Sequence, residues 1–173
     1  MFESDSQKYL LPVVTSYIKQ GMVDAALKRV QVLAEESLKD QALKYMAVLV
    51  DGDQLYKEAL ATYDLQLTLM VAHRSQKDPK EYLAFLNELK AMADENERRF
   101  TVDNSLKRYD SAVRHLCRCR PIRTEQITSY MKLHRVYVSV IDELRTVLPT
   151  SEVQEALEAA ACLQAEILVL NEF

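Results

Sequence analysis

The chain has 173 residues, of which 49% are hydrophobic and 28% are charged, and its formal net charge is −4. This length and composition are typical of one ordinary domain with a buried core, and they exclude a disordered chain. Two glycines and four prolines are too few for an all-β fold, which needs turn residues every 8–12 positions or so. Because the two glycines are far apart, Gly-rich phosphate loops are also excluded.

The first half of the chain has the i, i+4 spacing of amphipathic helices. We predict a first helix that Ser6 caps and Gly21 ends, because apolar residues from Tyr9 to Ile18 fall on one face. Asp53 follows a turn and is predicted to be the N-cap of a later helix. The next predicted helices are 22–36, 39–50, 54–63 and 65–74, the last two as separate helices or as one bent helix.

The clearest helix boundary in the sequence lies at Asp78. This residue is predicted to be an N-cap, with Pro79 at the first helical position and Glu81 at the third. Such a start resembles a capping box, in which side chains accept hydrogen bonds from the first free backbone amides. The sequence therefore predicts an amphipathic helix that follows a polar break.

The region after this helix is predicted to begin with a charged loop at 94–99. Asp103 or Asn104 is predicted to cap the next helix, which Pro121 ends. Thr124 then opens one long helix whose apolar residues continue to Leu148.

A final helix is predicted to begin at Ser151, because Ser151 and Gln154 have capping-box spacing. Its apolar residues recur at helical spacing almost to the end of the chain. Together with the long helix before it, this helix would form a pair.

Two short segments of the sequence resemble each other and are separated by about one repeat length. Asp24–Leu27 and Lys57–Leu60 are 33 residues apart, close to the tetratricopeptide period of about 34. Stacked helix pairs cannot bury their apolar faces alone, so each pair needs a neighbour. We therefore predict an all-α fold of stacked antiparallel helix pairs, a tetratricopeptide-like α-solenoid fragment at 1–120, with an additional helical pair at 121–173.

The sequence contains no arrangement of residues that predicts catalysis or a metal site. His115, Cys117 and Cys119 are close together, but zinc needs four ligands, usually as two spaced pairs. We interpret both cysteines as free thiols, one in the core and one at a helix end. His73 and His134 are isolated, and no nucleophile–base order is present. We predict no enzyme activity, no cofactor and no metal.

The segment from Arg98 to Arg135 has ten Lys or Arg residues against three acids. Its cations continue past the end of a predicted helix, where the helix dipole favours positive charge. They could bind RNA phosphates or an acidic partner, although the charge pattern favours solvated or intramolecularly paired side chains. The candidate residues, called the basic segment below, are Lys107, Arg114, Arg118, Arg120 and Arg123.

The end of the chain is acidic, since no basic residue follows Arg145. We hypothesise that the final helix pairs with the basic segment, within the chain or across a dimer. Reversing Glu155 and Glu158 to Lys should then lower stability or weaken self-association, and an unchanged melting temperature and mass would refute the idea.

The sequence predicts neither a membrane span nor a signal peptide. No apolar run approaches the roughly 18 residues that a membrane span needs. The first residues, MFESDSQKYL, carry acids where a signal peptide has a basic start and an apolar core. Three cysteines do not form a disulfide framework, which favours a reducing compartment.

Several segments of the sequence resemble the helical-repeat region of one protein family. They are YKEALATYDLQLTLMVAHRSQKDPKEYLAFLNELKAM at 56–92, RFTVDNSLKRYDSAVRHLCRC at 99–119 and YLLPVVTSYIKQ at 9–20. The family is that of the largest Elongator subunit, Elongator complex protein 1. The resemblance covers roughly 9–119, whereas residues after Cys119 do not resemble the expected solenoid continuation.

This resemblance implies a scaffold role. Family members carry β-propellers and an α-solenoid and dimerise near the C-terminus, while another subunit modifies wobble uridines of transfer RNA through radical-SAM and acetyl-CoA chemistry. The implied partners are other Elongator subunits, a second copy of the chain, and transfer RNA. The implied location is cytoplasmic, with the nucleus as second compartment. No β-patterned segment matches the propellers, so a free helical adaptor, or a truncated or divergent gene product, is the alternative.

Overall fold

The computed structural model describes residues 9–75, 78–121, 123–147, 158, 161 and 162. Within them the chain forms ten α-helices of 9 to 14 residues and no strand, which confirms the all-α prediction. No helix in these ranges is long and apolar enough to cross a membrane. The helices are α1 (Leu10–Lys19), α2 (Val23–Gln31), α3 (Glu36–Leu49), α4 (Gly52–Leu60), α5 (Leu65–Arg74), α6 (Pro79–Ala91), α7 (Glu95–Ser105), α8 (Tyr109–Arg118), α9 (Thr124–His134) and α10 (Tyr137–Val147).

The chain forms two compact units, Met1–Ala91 and Met92–Phe173. The first unit contains α1 to α6, and the second contains α7 to α10. This division describes packing and does not test the predicted segments 1–120 and 121–173, which stay a prediction.

Helices of the first unit pack on the next helix and on the one after it. α1 contacts α2 and α3, α2 contacts α3 and α4, α3 contacts α4 and α5, and α5 contacts α4 and α6. The odd-numbered helices therefore stack as one row, and α2 and α4 stack as a second row. Such stacking is the architecture of an α-solenoid. The tetratricopeptide-like detail stays a prediction.

The core of the first unit runs through both rows. The two similar segments 33 residues apart place equivalent buried residues on the neighbouring helices α2 and α4. These residues are Ala26 and Leu27 in α2 and Ala59 and Leu60 in α4. Polar contacts follow a similar spacing, since the Gln31 side chain donates to the Asp64 carboxylate over 3.1 Å. The buried apolar residues of this core are Leu10, Val14, Val23, Ala26, Leu27, Val30, Ala42, Leu43, Met46, Val50, Leu55, Ala59, Leu67 and Val71.

Aspartates begin three helices of the first unit. The Asp64 carboxylate accepts hydrogen bonds from the amides of the first turn of α5. Asp78 accepts from the Lys80 amide over 2.9 Å in front of Pro79, which confirms the predicted boundary. The prediction of Asp53 as an N-cap was wrong. Asp51 is the cap of α4, because its carboxylate accepts hydrogen bonds from the amides of Asp53 and Gln54.

Several predicted helix ends in the first unit were also wrong. The helix predicted at 22–36 ends at Gln31, and the helix predicted at 39–50 begins at Glu36. The apolar pattern continues past Gln31 because Leu33 packs on the core from the connecting segment. The helices predicted at 54–63 and 65–74 are separate, since Tyr63 adopts the left-handed conformation between them, but the first of them was predicted with wrong ends because α4 spans Gly52–Leu60.

The second unit is built around α8, which contacts α7, α9 and α10, while α9 also contacts α10. Its buried apolar residues are Ala112, Val113, Leu116, Cys117, Ile127, Tyr130, Met131, Val136, Val140, Ile141 and Leu144. Seven of these residues follow Arg123, so α9 and α10 supply much of this core.

The predicted charged loop at 94–99 was wrong, because these residues begin α7. The Asp94 carboxylate accepts from the Asn96 amide over 2.8 Å, and Glu95 and Glu97 lie in the first turn, where the helix dipole favours acids. Asp103 and Asn104, predicted as caps, lie inside α7. The helix α8 follows Arg108, which makes no side-chain capping bond.

The long helix predicted at 124–148 was also wrong, since Arg135 breaks it. Arg135 has a left-handed φ of 58°, so α9 ends at His134 and α10 begins at Tyr137. Val136 is buried in the connection, which keeps the apolar pattern continuous across the break. Ser6, Ser151 and Gln154 and most of the predicted final helix lie outside the described residues.

The start of α4 should not tolerate a larger residue. A Cβ at Gly52 would lie 2.9 Å from the Ser75 carbonyl oxygen at the end of α5. Gly52→Ala should therefore destabilise the chain by about 1–3 kcal/mol, measured by urea unfolding. Gln54→Ala on the exposed side of α4 is the matched control and should stay within about 0.5 kcal/mol of the wild type. Equal unfolding midpoints for both variants would contradict the close approach.

Candidate functional site

The helix α8 carries the middle of the basic segment and separates a buried from an exposed face. Ala112, Val113 and Leu116 are buried, whereas Arg114 and Arg118 lie one turn apart on the exposed face. The sequence produces this arrangement because its apolar and basic residues each recur at helical spacing. α8 therefore presents cations to solvent while it packs on three helices.

The structure places the five residues of the basic segment in different environments. Lys107 lies in the turn before α8 with a left-handed φ of 59°. Arg114 is exposed on α8. No ion pair is described for either of these two side chains. The remaining three, at the end of α8 and beyond it, make contacts within the second unit.

Arg118 joins α8 to α10 through an ion pair. Its Nε lies 2.5 Å from Oε1 of Glu143, whose side chain is only 8% exposed. A carboxylate in such a place needs a partner, because its desolvation is otherwise uncompensated. Arg118 therefore serves the packing of α8 on α10.

Arg120 and Arg123 are also used locally. Arg120 donates to the carbonyl oxygens of Cys117 and Cys119, at 3.3 and 3.2 Å, and so caps the end of α8. Arg123, just before α9, pairs with Glu97 of α7 at 2.8 Å, and this carboxylate holds the pKa of Arg123 above its ordinary value. The acids that pair with the basic segment thus belong to α7 and α10. The predicted pairing with the final helix concerns residues mostly outside the described ranges, of which Glu158 is exposed.

A buried polar cluster links α7 to α8, and the sequence did not predict it. Ser111 donates to Oδ2 of the fully buried Asp103 over 2.5 Å, and Nε2 of His115 lies 3.6 Å from the same oxygen. Burial lowers the pKa of His115, an effect larger than the opposite one of Asp103. In a serine triad the histidine stands between serine and aspartate. Here the aspartate occupies that place, so the cluster activates no nucleophile and instead fixes α7 on α8.

The cysteines of this region are free thiols, as the sequence predicts. Burial raises the pKa of Cys117 to about 12, and burial also raises the pKa of Cys119. Both groups are therefore protonated near neutral pH and unreactive. Among the described residues, no set of three His, Cys, Asp or Glu side chains could hold a metal ion.

An aromatic cluster joins α7, α8 and α9. The ring of His134 stacks on Tyr109 with centroids 3.8 Å apart, and Tyr130 lies 4.4 Å from His134. Phe100 contacts Tyr130 edge-on, and the Tyr130 hydroxyl donates to Asn104. The i, i+4 spacing of Tyr130 and His134 was a signal for part of this cluster.

His73, the other histidine that is isolated in the sequence, lies in the first unit and contacts Tyr82 edge-on.

A family model described as ELP1 alpha-solenoid matches residues 1–89, just over half of the chain. The chain belongs to the ELP1 alpha-solenoid family. This finding confirms the resemblance seen in the sequence, and the stacked rows of α1 to α5 lie within the residues that the solenoid model matches.

Three relatives named Elongator complex protein 1 show how far the similarity extends. The rabbit protein (Oryctolagus cuniculus) is 42% identical over 154 residues, covering 84% of this chain and 11% of the relative. The Drosophila melanogaster protein is 43% identical over 132 residues, covering 75% and 10%. The Saccharomyces cerevisiae protein is 37% identical over 138 residues, covering 76% and 10%.

The chain thus spans about a tenth of the length of these relatives. The similarity also extends past Cys119, because the 84% of the chain covered by the rabbit protein exceeds the first 120 of 173 residues. The expectation that the resemblance ends near Cys119 was therefore wrong. The chain is therefore similar in sequence to these relatives in both compact units.

Arg118 should stabilise the second unit, whereas Arg114 should not. Arg118→Met leaves the mostly buried Glu143 without its ion-pair partner and should cost about 1–3 kcal/mol of unfolding free energy. Arg114→Met removes an exposed cation from the same helix and should change stability by less than about 0.5 kcal/mol. Urea unfolding of both variants tests this difference, and equal losses would contradict the assignment of Arg118 to packing.

The second unit should lose stability as the pH falls through the titration range of His115. Because the folded state lowers the pKa of His115 below its ordinary value of 6.5, the unfolded chain takes up the proton first. The stabilising contribution of His115 to the unfolding free energy is therefore present above the ordinary pKa and is lost as the pH falls below it. His115→Gln should show a smaller drop in unfolding free energy between neutral pH and about pH 5.5. An identical drop in wild type and variant would refute the burial effect.

Proposed function

We propose that the chain is a non-catalytic scaffold segment of the Elongator complex, supporting the modification of wobble uridines in transfer RNA. The observation that carries this proposal is the pair of stacked helix rows in the first unit, within the residues that match the solenoid family model. A stacked array presents long surfaces of helix faces, which suit the binding of other proteins. The relatives named Elongator complex protein 1 support the choice of complex.

The side-chain chemistry of the described residues is compatible with a role without catalysis. The buried Asp103, Ser111 and His115 have the wrong order for a nucleophile, and the thiols of Cys117 and Cys119 are protonated. Catalysis is accordingly assigned to another subunit of the complex.

The proposed partners are other Elongator subunits and a second copy of this chain. Transfer RNA is a further proposed partner, for which Arg114 on α8 is a residue of the basic segment that structural ion pairs leave available. The proposed compartment is the cytoplasm, with the nucleus as second location, since free thiols persist under reducing conditions.

Affinity purification of the tagged full chain, followed by mass spectrometry, tests the proposal. We expect the catalytic Elongator subunit to be recovered with the wild type and with Gln54→Ala, whose side chain is exposed. Leu43→Asp places a charge in the solenoid core, where Leu43 is fully buried, and should abolish this recovery. A reproducible absence of the catalytic subunit from the wild-type sample would contradict the scaffold role and favour a free helical adaptor.

A further inference from the structure

Three elements of the second unit converge at one end of α8. The ring of Tyr109, the first residue of α8, stacks on His134 at the end of α9. Ser139 near the start of α10 donates to the Asp110 carboxylate over 2.6 Å. These two contacts bring the turn before α8, the end of α9 and the start of α10 together. Five exposed residues of these segments, Lys107, Lys132, Leu133, Arg135 and Val138, are called the α8–α10 corner below, and Arg108 and Asp110 beside them are exposed as well.

The α8–α10 corner combines exposed aliphatic side chains with cations. Leu133 is 75% exposed and Val138 is 61% exposed, although both are large apolar residues. No ion pair is described for Lys107, Lys132 or Arg135, in contrast to Arg118 and Arg123.

The acids nearby leave the corner positively charged. Asp110 accepts the hydrogen bond of Ser139, and Asp142 is exposed one turn beyond Val138 on α10. Because the hydroxyl that donates to Asp110 is neutral, this carboxylate keeps its charge, and the three exposed cations outnumber two exposed acids, Asp110 and Asp142. This excess of positive charge occurs in a chain whose net charge is −4.

Two of the cations occupy backbone positions that favour glycine. Lys107 has a φ of 59° and Arg135 a φ of 58°, in the left-handed region where a Cβ is unfavourable. Glycine would fold there at lower conformational cost. The left-handed conformation ends many helices, and residues held in it also cluster at ligand-binding sites.

We propose that the α8–α10 corner binds an acidic amphipathic peptide segment of a partner protein. Leu133 and Val138 would contact its apolar side chains, while Lys107, Lys132 and Arg135 attract its carboxylates. A nucleic acid suits the corner less well, because the rings of Tyr109 and His134 already stack on each other and phosphates make no use of two aliphatic side chains. The corner offers this chemistry whether or not the chain joins an Elongator assembly.

Fluorescence anisotropy with the purified full chain tests this proposal. The probe is a short fluorescein-labelled peptide with leucines at helical spacing and glutamates elsewhere. We expect binding that weakens with added salt, because exposed charges contribute. Leu133→Ser with Val138→Ser should reduce the affinity about tenfold or more. Val48→Ser, which changes a comparably exposed residue of the first unit, is the matched control and should bind as the wild type does.

A second variant separates binding from folding. Lys107→Gly with Arg135→Gly removes two cations at positions where glycine is favourable, so the melting temperature should not fall. The affinity for the peptide should still drop about tenfold. Unchanged affinity in both double variants would overturn the proposal. Tighter binding of a single-stranded oligouridylate than of the peptide, lost in the same variants, would overturn it too and assign the corner to nucleic acid.

Discussion

The first unit depends on one constraint, which is that none of its short helices can bury its apolar face alone. Helices of 9 to 14 residues are marginal in isolation. α3 gains stability because α1, α2, α4 and α5 all contact it, and its Leu43 and Met46 are fully buried. The continuous core that results is the physical basis of the solenoid and of any surface that it presents.

Much of this architecture was predictable because the apolar residues recur at helical spacing and turn residues are scarce. The Asp78 boundary was correct since its capping bonds are local and the residues that form them are adjacent. The break at Arg135 could not be predicted, because no glycine or asparagine marks the left-handed position. Residues 94–99 were mistaken for a loop because their charges belong to a helix start, where Asp94 caps the first turn.

The candidate site shows more clearly that a charge pattern in the sequence does not reveal which cations form ion pairs in the fold. The sequence identified Arg118 as a candidate binding residue, yet it could not show that Glu143 lies beside Arg118, since 25 residues separate them. The same holds for Arg123 and Glu97. Conversely, Lys132 and Arg135 belong to the cation-rich stretch from Arg98 to Arg135 but were not among the five candidate residues, and the stacking of Tyr109 on His134 brings their end of α9 to the start of α8. A cluster of like charges in sequence is therefore a poor guide to which cations are available for binding.

Hydrogen exchange of the first unit tests the stacked-row account most directly. Leu43→Ala creates a cavity in α3 and should cost about 2–5 kcal/mol. If the rows share one core, amide protection should fall in α1, α2, α4 and α5 as well as in α3, because these helices contact it. A loss of protection confined to α3, with its four neighbours unchanged, would contradict the account.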